Sequence, residues 1–91
     1  MDVSLELKKN YLKRRIADIE LCQNALQSAD FAFLETVGHN IKGNAVSFGF
    51  GELTELGEKL EDYAANRNVE KLKEVLLEIS SQVTRLNQGL N

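Results

Sequence analysis

Apolar residues recur at intervals of three and four along this chain, and four separate stretches follow that spacing. Such spacing places the apolar side chains in one stripe along an α-helix, which must be buried against a neighbour. The stretches span roughly residues 4–28, 31–48, 52–66 and 69–88. Their predicted buried stripes are Leu5, Leu12, Ile16, Ile19 and Leu26; Phe31, Leu34, Val37, Ile41, Ala45 and Phe48; Leu53, Leu56, Leu60, Tyr63 and Ala64; and Val69, Leu72, Leu76, Ile79, Val83 and Leu86.

Short breaks separate the four stretches, and each has a recognisable helix-ending or helix-starting residue. Asp30 is a good N-cap for the second helix, because its carboxylate can accept from free backbone N–H groups. Gly49-Phe50-Gly51 predicts a turn, and Asn66-Arg67-Asn68 ends the third helix. Because the connections are short, neighbouring helices should be antiparallel, and the sequence predicts an all-α, up-down-up-down four-helix bundle.

The size and composition of the chain fit one globular domain over residues 1–91. The 91 residues are 43% hydrophobic and 27% charged, with no proline to interrupt a helix. The net charge of −3 argues against nucleic acid as the main partner. The local basic run Lys8, Lys9, Lys13, Arg14 and Arg15 is therefore interpreted as the solvated side of a helix, with a nucleic-acid adaptor as an alternative.

Three further features predict a cytoplasmic protein that does not associate with membranes. No stretch approaches the roughly 20 apolar residues that a bilayer-spanning helix needs. The start of the chain, Met1-Asp2-Val3-Ser4, lacks the pattern of a signal peptide. Cys22 is the one cysteine, and its neighbours Leu21 and Ala25 predict a buried or half-buried thiol, which suits a reducing compartment.

The one histidine, His39, lies on the second helix on the side away from the core. At 100° per residue it is about 140° from Leu34, so its ring should face water. Gly43 lies one turn later on the same face and leaves the ring open to a partner, although glycine inside a helix costs roughly 1 kcal/mol. Lys42 can place an ammonium beside an anion bound to the ring. Gly38 lies nearer the core, where glycine allows a close helix contact.

These features suit an imidazole that accepts a phosphoryl group. A histidine ring is mostly neutral at neutral pH, so one nitrogen offers a lone pair without a special base. A carboxylate on the other nitrogen would fix the tautomer and offset the charge that develops on attack. The third helix offers Glu58 and Glu61. Both belong to an acidic face with Glu52, Glu55 and Asp62, for which solubility is an equally good interpretation.

The run His39-Asn40-Ile41-Lys42-Gly43, with Phe48-Gly49 and Leu60-Glu61 downstream, resembles the histidine-containing phosphotransfer (HPt) domain. The motif is His-x-x-Lys-Gly with a glycine ten residues after the histidine, and the resemblance covers nearly the whole chain. Ser47-Phe48-Gly49-Phe50 is also similar to the phosphotransfer domains of chemotaxis histidine kinases. One departure is Gly38, where these domains often have alanine.

The resemblance implies roles for particular residues and for partners. His39 would be phosphorylated on Nε2, Lys42 would assist the phosphate, and Gly43 would leave room for the partner. Glu61 matches the carboxylate that bonds the other ring nitrogen in the chemotaxis branch. The implied partners are a response-regulator receiver domain, which supplies the magnesium, and a sensor histidine kinase. We expect docking contacts at Glu35 and Val46, on the same exposed side as His39.

The chain has no Gly-rich nucleotide loop or kinase core, so we expect a monomeric, stoichiometric carrier without cofactors rather than an enzyme. The main alternative is a helical interaction module that never carries phosphate. A metal site would have to be built from one histidine and one cysteine beside the carboxylates, which is a poor ligand set.

Overall fold

A computed structural model describes residues 3–90 of the chain. Residues 1, 2 and 91 of the predicted domain, including Met1-Asp2 of the segment tested for a signal peptide, lie outside the described residues. Residues 3–90 form four α-helices and no β-strand, which confirms the all-α prediction and gives a four-helix bundle. The helices are α1 (Leu5–Gln27), α2 (Phe31–Asn44), α3 (Thr54–Ala65) and α4 (Val69–Gly89).

Side-chain caps start three of the helices. Ser4 Oγ accepts from Leu7 N–H at the start of α1, and Asp30 Oδ1 accepts from Phe33 N–H at 3.1 Å at the start of α2. The Asn68 side chain accepts from Lys71 N–H at 3.2 Å and starts α4. The predicted Asp30 cap is confirmed. Each such cap typically stabilises a helix by about 1 kcal/mol.

The core lies between all four helices. α2 packs most extensively on α3 and also contacts α1, while α4 packs on α1 and α3. Fully buried leucines from α1, α2, α3 and α4 meet at the centre, and each contributes about 1.5–3 kcal/mol through burial. The largest fully buried side chains are Leu12, Leu34, Leu53, Leu60, Leu72, Val75, Ile79 and Val83.

The predicted stripe is wrong at three positions. Leu5 and Val69 are the first residues of α1 and α4, at the helix starts, and both are exposed. Ile16 is exposed as well, because the buried face of α1 follows Leu12, Arg15, Ile19 and Cys22, and Ile16 lies beside that line. The thiol of Cys22 is buried, as the sequence predicts.

The prediction of a solvated basic face is wrong at Arg15. Its side chain is buried, and its guanidinium stacks 4.7 Å from the centre of the Tyr11 ring. Its Nη2 pairs with Asp18 Oδ2 at 2.9 Å. The aliphatic stem of an arginine can cover apolar surface while its planar head pairs with a carboxylate, which is why a cation is tolerated here.

The second predicted segment extends too far at its C-terminal end, and the third begins too early. α2 ends at Asn44 rather than at 48, and α3 begins at Thr54 rather than at 52. Two short 3-10 turns, Val46–Phe48 and Gly51–Leu53, fill the interval, with Gly49 between them at a φ of 85°. Tyr11 stacks on Phe48 and Phe50, with ring centres 4.5 and 5.7 Å away, so this segment folds back onto α1 instead of continuing α2.

No helix within residues 3–90 is long and apolar enough to cross a membrane.

Candidate functional site

His39 lies in the middle of α2 on its outward face. Leu34, Val37 and Ile41, on the opposite face, are buried in the core and fix the orientation of the helix. The His39 side chain is 68% exposed, so a second molecule can reach the ring.

Glu61 of α3 holds one edge of the His39 ring. His39 Nδ1 and Glu61 Oε2 are 2.8 Å apart, a good distance for an N–H donor and a carboxylate acceptor. The carboxylate favours the tautomer that carries its hydrogen on Nδ1. Nε2 then keeps its lone pair, which makes it the nucleophilic atom of the ring.

Lys42 occupies the other oxygen of the same carboxylate. Its Nζ donates to Glu61 Oε1 at 3.0 Å, so one carboxylate joins the histidine and the lysine of α2. The Glu61 side chain is only 19% exposed, whereas the Lys42 side chain remains accessible. The site therefore combines an open nucleophile, a fixed acceptor and a cation about one turn along the helix.

The charges of this triad reinforce each other. The hydrogen bond from Lys42 is the main cause that lowers the pKa of Glu61 below its usual value; partial burial opposes it, and the hydrogen bond with His39 adds to it. The hydrogen bond to Glu61, followed by its negative charge, raises the pKa of Lys42. At neutral pH the carboxylate is thus ionised and the ammonium charged, and the carboxylate can offset a positive charge on the ring.

The glycines near His39 occupy two different environments. Apart from its chain neighbours and the adjoining backbone of α2, a Cβ atom built at Gly43 would meet no atom of the described residues within 4 Å, so the space one turn beyond His39 is open. Gly38 is buried against α3, where it faces Gly57. Gly57 was not predicted from the sequence to belong to the site. Its spacing from Leu53, Leu60 and Ala64 places it on the buried face of the helix, and that was the available signal.

The other acidic residues of the third segment do not reach the ring through a hydrogen bond. Glu55 pairs at 3.6 Å with Lys59, and Glu58 and Asp62 are exposed and act on Lys42 only through their charge. Glu52 is exposed in the turn before α3. Of the two glutamates that the third helix offers, the structure therefore places Glu61, the one that the family resemblance implies, and not Glu58, against His39.

The two expected docking residues are both exposed. Glu35 lies one turn before His39 on α2, and Val46 lies just after the helix with 65% of its surface exposed. A groove of about 480 Å³ also opens between α1 and the C-terminal half of α2, and His39 is not among its lining residues. Its lining residues include Asn10, Arg14 and Asn40. No group of three or more His, Cys, Asp or Glu residues within the described part of the chain is arranged to hold a metal ion.

A comparison with protein families matches residues 6–89 to the Hpt domain. The match covers nearly all of the chain, which therefore belongs to the Hpt domain family. Hpt domains carry out histidine phosphotransfer in phosphorelays, as phosphocarriers rather than kinases. They interact with receiver domains and histidine kinases. No curated protein and no solved structure matches the chain significantly.

Proposed function

We propose that this chain is a single Hpt domain that accepts a phosphoryl group on His39 and passes it to a response regulator. The donor is the phosphoaspartate of a receiver domain or a histidine kinase. The observation that carries this proposal is the exposed imidazole whose Nδ1 is held 2.8 Å from Glu61, which leaves Nε2 free. The protein is a stoichiometric carrier rather than a kinase.

In the transfer step, the Nε2 lone pair of His39 attacks the phosphorus of the phosphoaspartate in line. A P–N bond forms while the P–O bond to the aspartate breaks, and the aspartate carboxylate leaves with the electron pair. The ring becomes cationic, and the Glu61 carboxylate, bonded to the Nδ1 hydrogen, offsets that charge. The protein supplies mainly position and charge, which is what phosphoryl transfer requires, and the magnesium belongs to the receiver.

Lys42 also binds the phosphoryl group in this mechanism. In the unphosphorylated protein its ammonium bonds Glu61, and its exposed side chain is flexible enough to turn toward a phosphoryl group on His39. The open space at Gly43 admits the receiver. Glu35 and Val46 contact the receiver at the two ends of the exposed face.

We also propose an arrangement of the helices and a setting for the protein. The helices run up-down-up-down, an arrangement supported by the short connections over 28–30, 45–53 and 66–68. The hydrogen bond that Tyr11, near the start of α1, donates to Asn44, at the end of α2, also supports it. The protein acts as a monomer in the cytoplasm, where the free thiol of Cys22 is kept reduced.

The experiment is to mix the protein with each of a set of phosphorylated receiver domains and follow label transfer. We expect acid-labile, base-stable label on the wild type and none on His39→Gln, which should remain folded because the side chain at this position is exposed. Equal labelling of His39→Gln would refute the assignment. Binding of a receiver without any label would favour the plain interaction module instead.

A further inference from the structure

α2 and α3 touch at two glycines, and the contact is too close for any other residue. A Cβ atom at Gly38 would lie 2.5 Å from the Glu61 backbone nitrogen and 2.8 Å from the Gly57 oxygen. A Cβ atom at Gly57 would lie 2.7 Å from the Lys42 backbone nitrogen and 2.8 Å from Ile41 Cγ2. Backbone atoms and a buried branched side chain cannot turn aside, so alanine at either position must move the helices apart.

These contacts involve the residues of the site itself. Gly38 precedes His39 and rests on the backbone of Glu61, while Gly57 lies one turn before Glu61 and rests on the backbone of Lys42. The two missing side chains therefore set the distance between the backbone that carries the histidine and lysine and the backbone that carries the carboxylate. The 2.8 and 3.0 Å hydrogen bonds of Glu61 depend on that distance.

We propose that Gly38 and Gly57 are positioning residues, which hold α3 close enough to α2 for one Glu61 carboxylate to bond both His39 and Lys42. The predicted effect on phosphoryl transfer rests on the proposed function. The predicted effect on the tautomer of the His39 ring is independent of it. A hydrogen bond weakens steeply once its geometry is lost, and a displacement of about 1 Å in a reacting group can slow a reaction on the order of 100-fold.

The test uses Gly38→Ala and Gly57→Ala, with Gly89→Ala as the matched control. Gly89 is also helical, and apart from its chain neighbours and the adjoining backbone of α4, a Cβ atom there would meet nothing within 4 Å among the described residues. Because His39 is the one histidine, its ring nitrogens give a single set of ¹⁵N NMR signals. We expect the Nδ1–H tautomer in the wild type and Gly89→Ala, and a mixture of tautomers in both test variants.

Transfer is measured in parallel with phosphoramidate, a small-molecule donor that needs no protein partner. We expect labelling of His39 to be about 10- to 100-fold slower in Gly38→Ala and Gly57→Ala, and unchanged in Gly89→Ala. A positioning role also predicts non-additivity, because Gly57→Ala should change neither readout further once Glu61→Ala has removed the acceptor. A general loss of stability would instead add to the effect of Glu61→Ala.

A wild-type measurement covers the case in which the alanine variants do not fold. The close approach predicts strong nuclear Overhauser effects from Gly38 Hα to the Glu61 amide and from Gly57 Hα to the Lys42 amide. Their absence, or folded alanine variants with the wild-type tautomer, would overturn the inference. If wild-type His39 takes no label from any donor while the tautomer still shifts in the variants, the proposed function fails and the positioning role stands.

Discussion

At the scale of single residues, one carboxylate organises the site. Glu61 accepts from Lys42 and His39 through separate oxygens, and its pKa is lowered, mainly by the hydrogen bond from Lys42. The stability that the Glu61 carboxylate contributes is present above the pKa of an ordinary glutamate. It is lost as the pH falls through the lowered pKa of Glu61 in the folded protein. The triad should therefore be intact throughout the neutral range.

Gly43 offers a prediction about access to the ring. Replacing Gly43 by leucine should slow transfer from a receiver domain at least about tenfold, because the new side chain fills the open space one turn beyond His39. Labelling by phosphoramidate should fall much less, since a small donor needs less room. Thermal unfolding should show no loss of stability, because leucine is a better helix former than glycine. Equal slowing with both donors would contradict the steric explanation.

At the scale of elements, the segment between α2 and α3 decides where the histidine helix stops. Gly49 adopts a φ of 85°, which costs a residue with a side chain roughly 1–2 kcal/mol. The backbone then turns back toward the end of α2, and Phe50 N–H donates to the Ala45 carbonyl at 2.9 Å. Packing of Phe48 and Phe50 on Tyr11 stabilises this path and ends α2 at Asn44.

The two glycines of this turn give a matched pair. Gly49→Ala should lower the free energy of unfolding by roughly 1 kcal/mol, because alanine must adopt a left-handed conformation. Gly51→Ala should have little effect, since its backbone is ordinary and a Cβ there would only touch Val46 at 3.9 Å. Urea unfolding followed by circular dichroism measures both. Equal losses in the two variants would show that the turn does not depend on the conformation of Gly49.

Local patterns in the sequence predict the elements better than their ends. Spacing of apolar residues finds all four helices, and the Asp30 carboxylate predicts the start of α2. The end of α2 depends on contacts between Phe48, Phe50 and a distant Tyr11, which no local spacing reveals. Residue spacing leaves Glu58 and Glu61 open, and the family resemblance points to Glu61. The contact of Glu61 with His39 depends on the close approach of α2 and α3, and so does the role of Gly57, which the sequence did not reveal.

At the scale of the whole molecule, a single core joins the four helices and sets the rigidity of the site. Side chains from every helix interlock, and α2 is held between α1 and α3. Cys22 is part of this core, and burial raises the pKa of its thiol to about 12. The thiol is therefore protonated and shielded in the folded protein, whereas an unfolded chain exposes a thiol with a pKa of about 8.5.

This burial predicts that the thiol of Cys22 reports global unfolding. At about pH 8, a disulfide reagent should modify the folded protein at least about 100-fold more slowly than it modifies the chain in concentrated urea, because attack requires an exposed thiolate. The rate should rise with urea in step with the loss of helix measured by circular dichroism. Rapid modification without urea would mean that α1 opens from the bundle by itself.

The most direct test of the central claim is to locate the phosphoryl group on the imidazole. The protein is labelled with ¹⁵N and phosphorylated, and coupling between phosphorus and the ring nitrogens of His39 is measured by NMR. We expect phosphorus on Nε2, with Nδ1 still protonated and bonded to Glu61. Phosphorus on Nδ1, or on any residue other than His39, would contradict it.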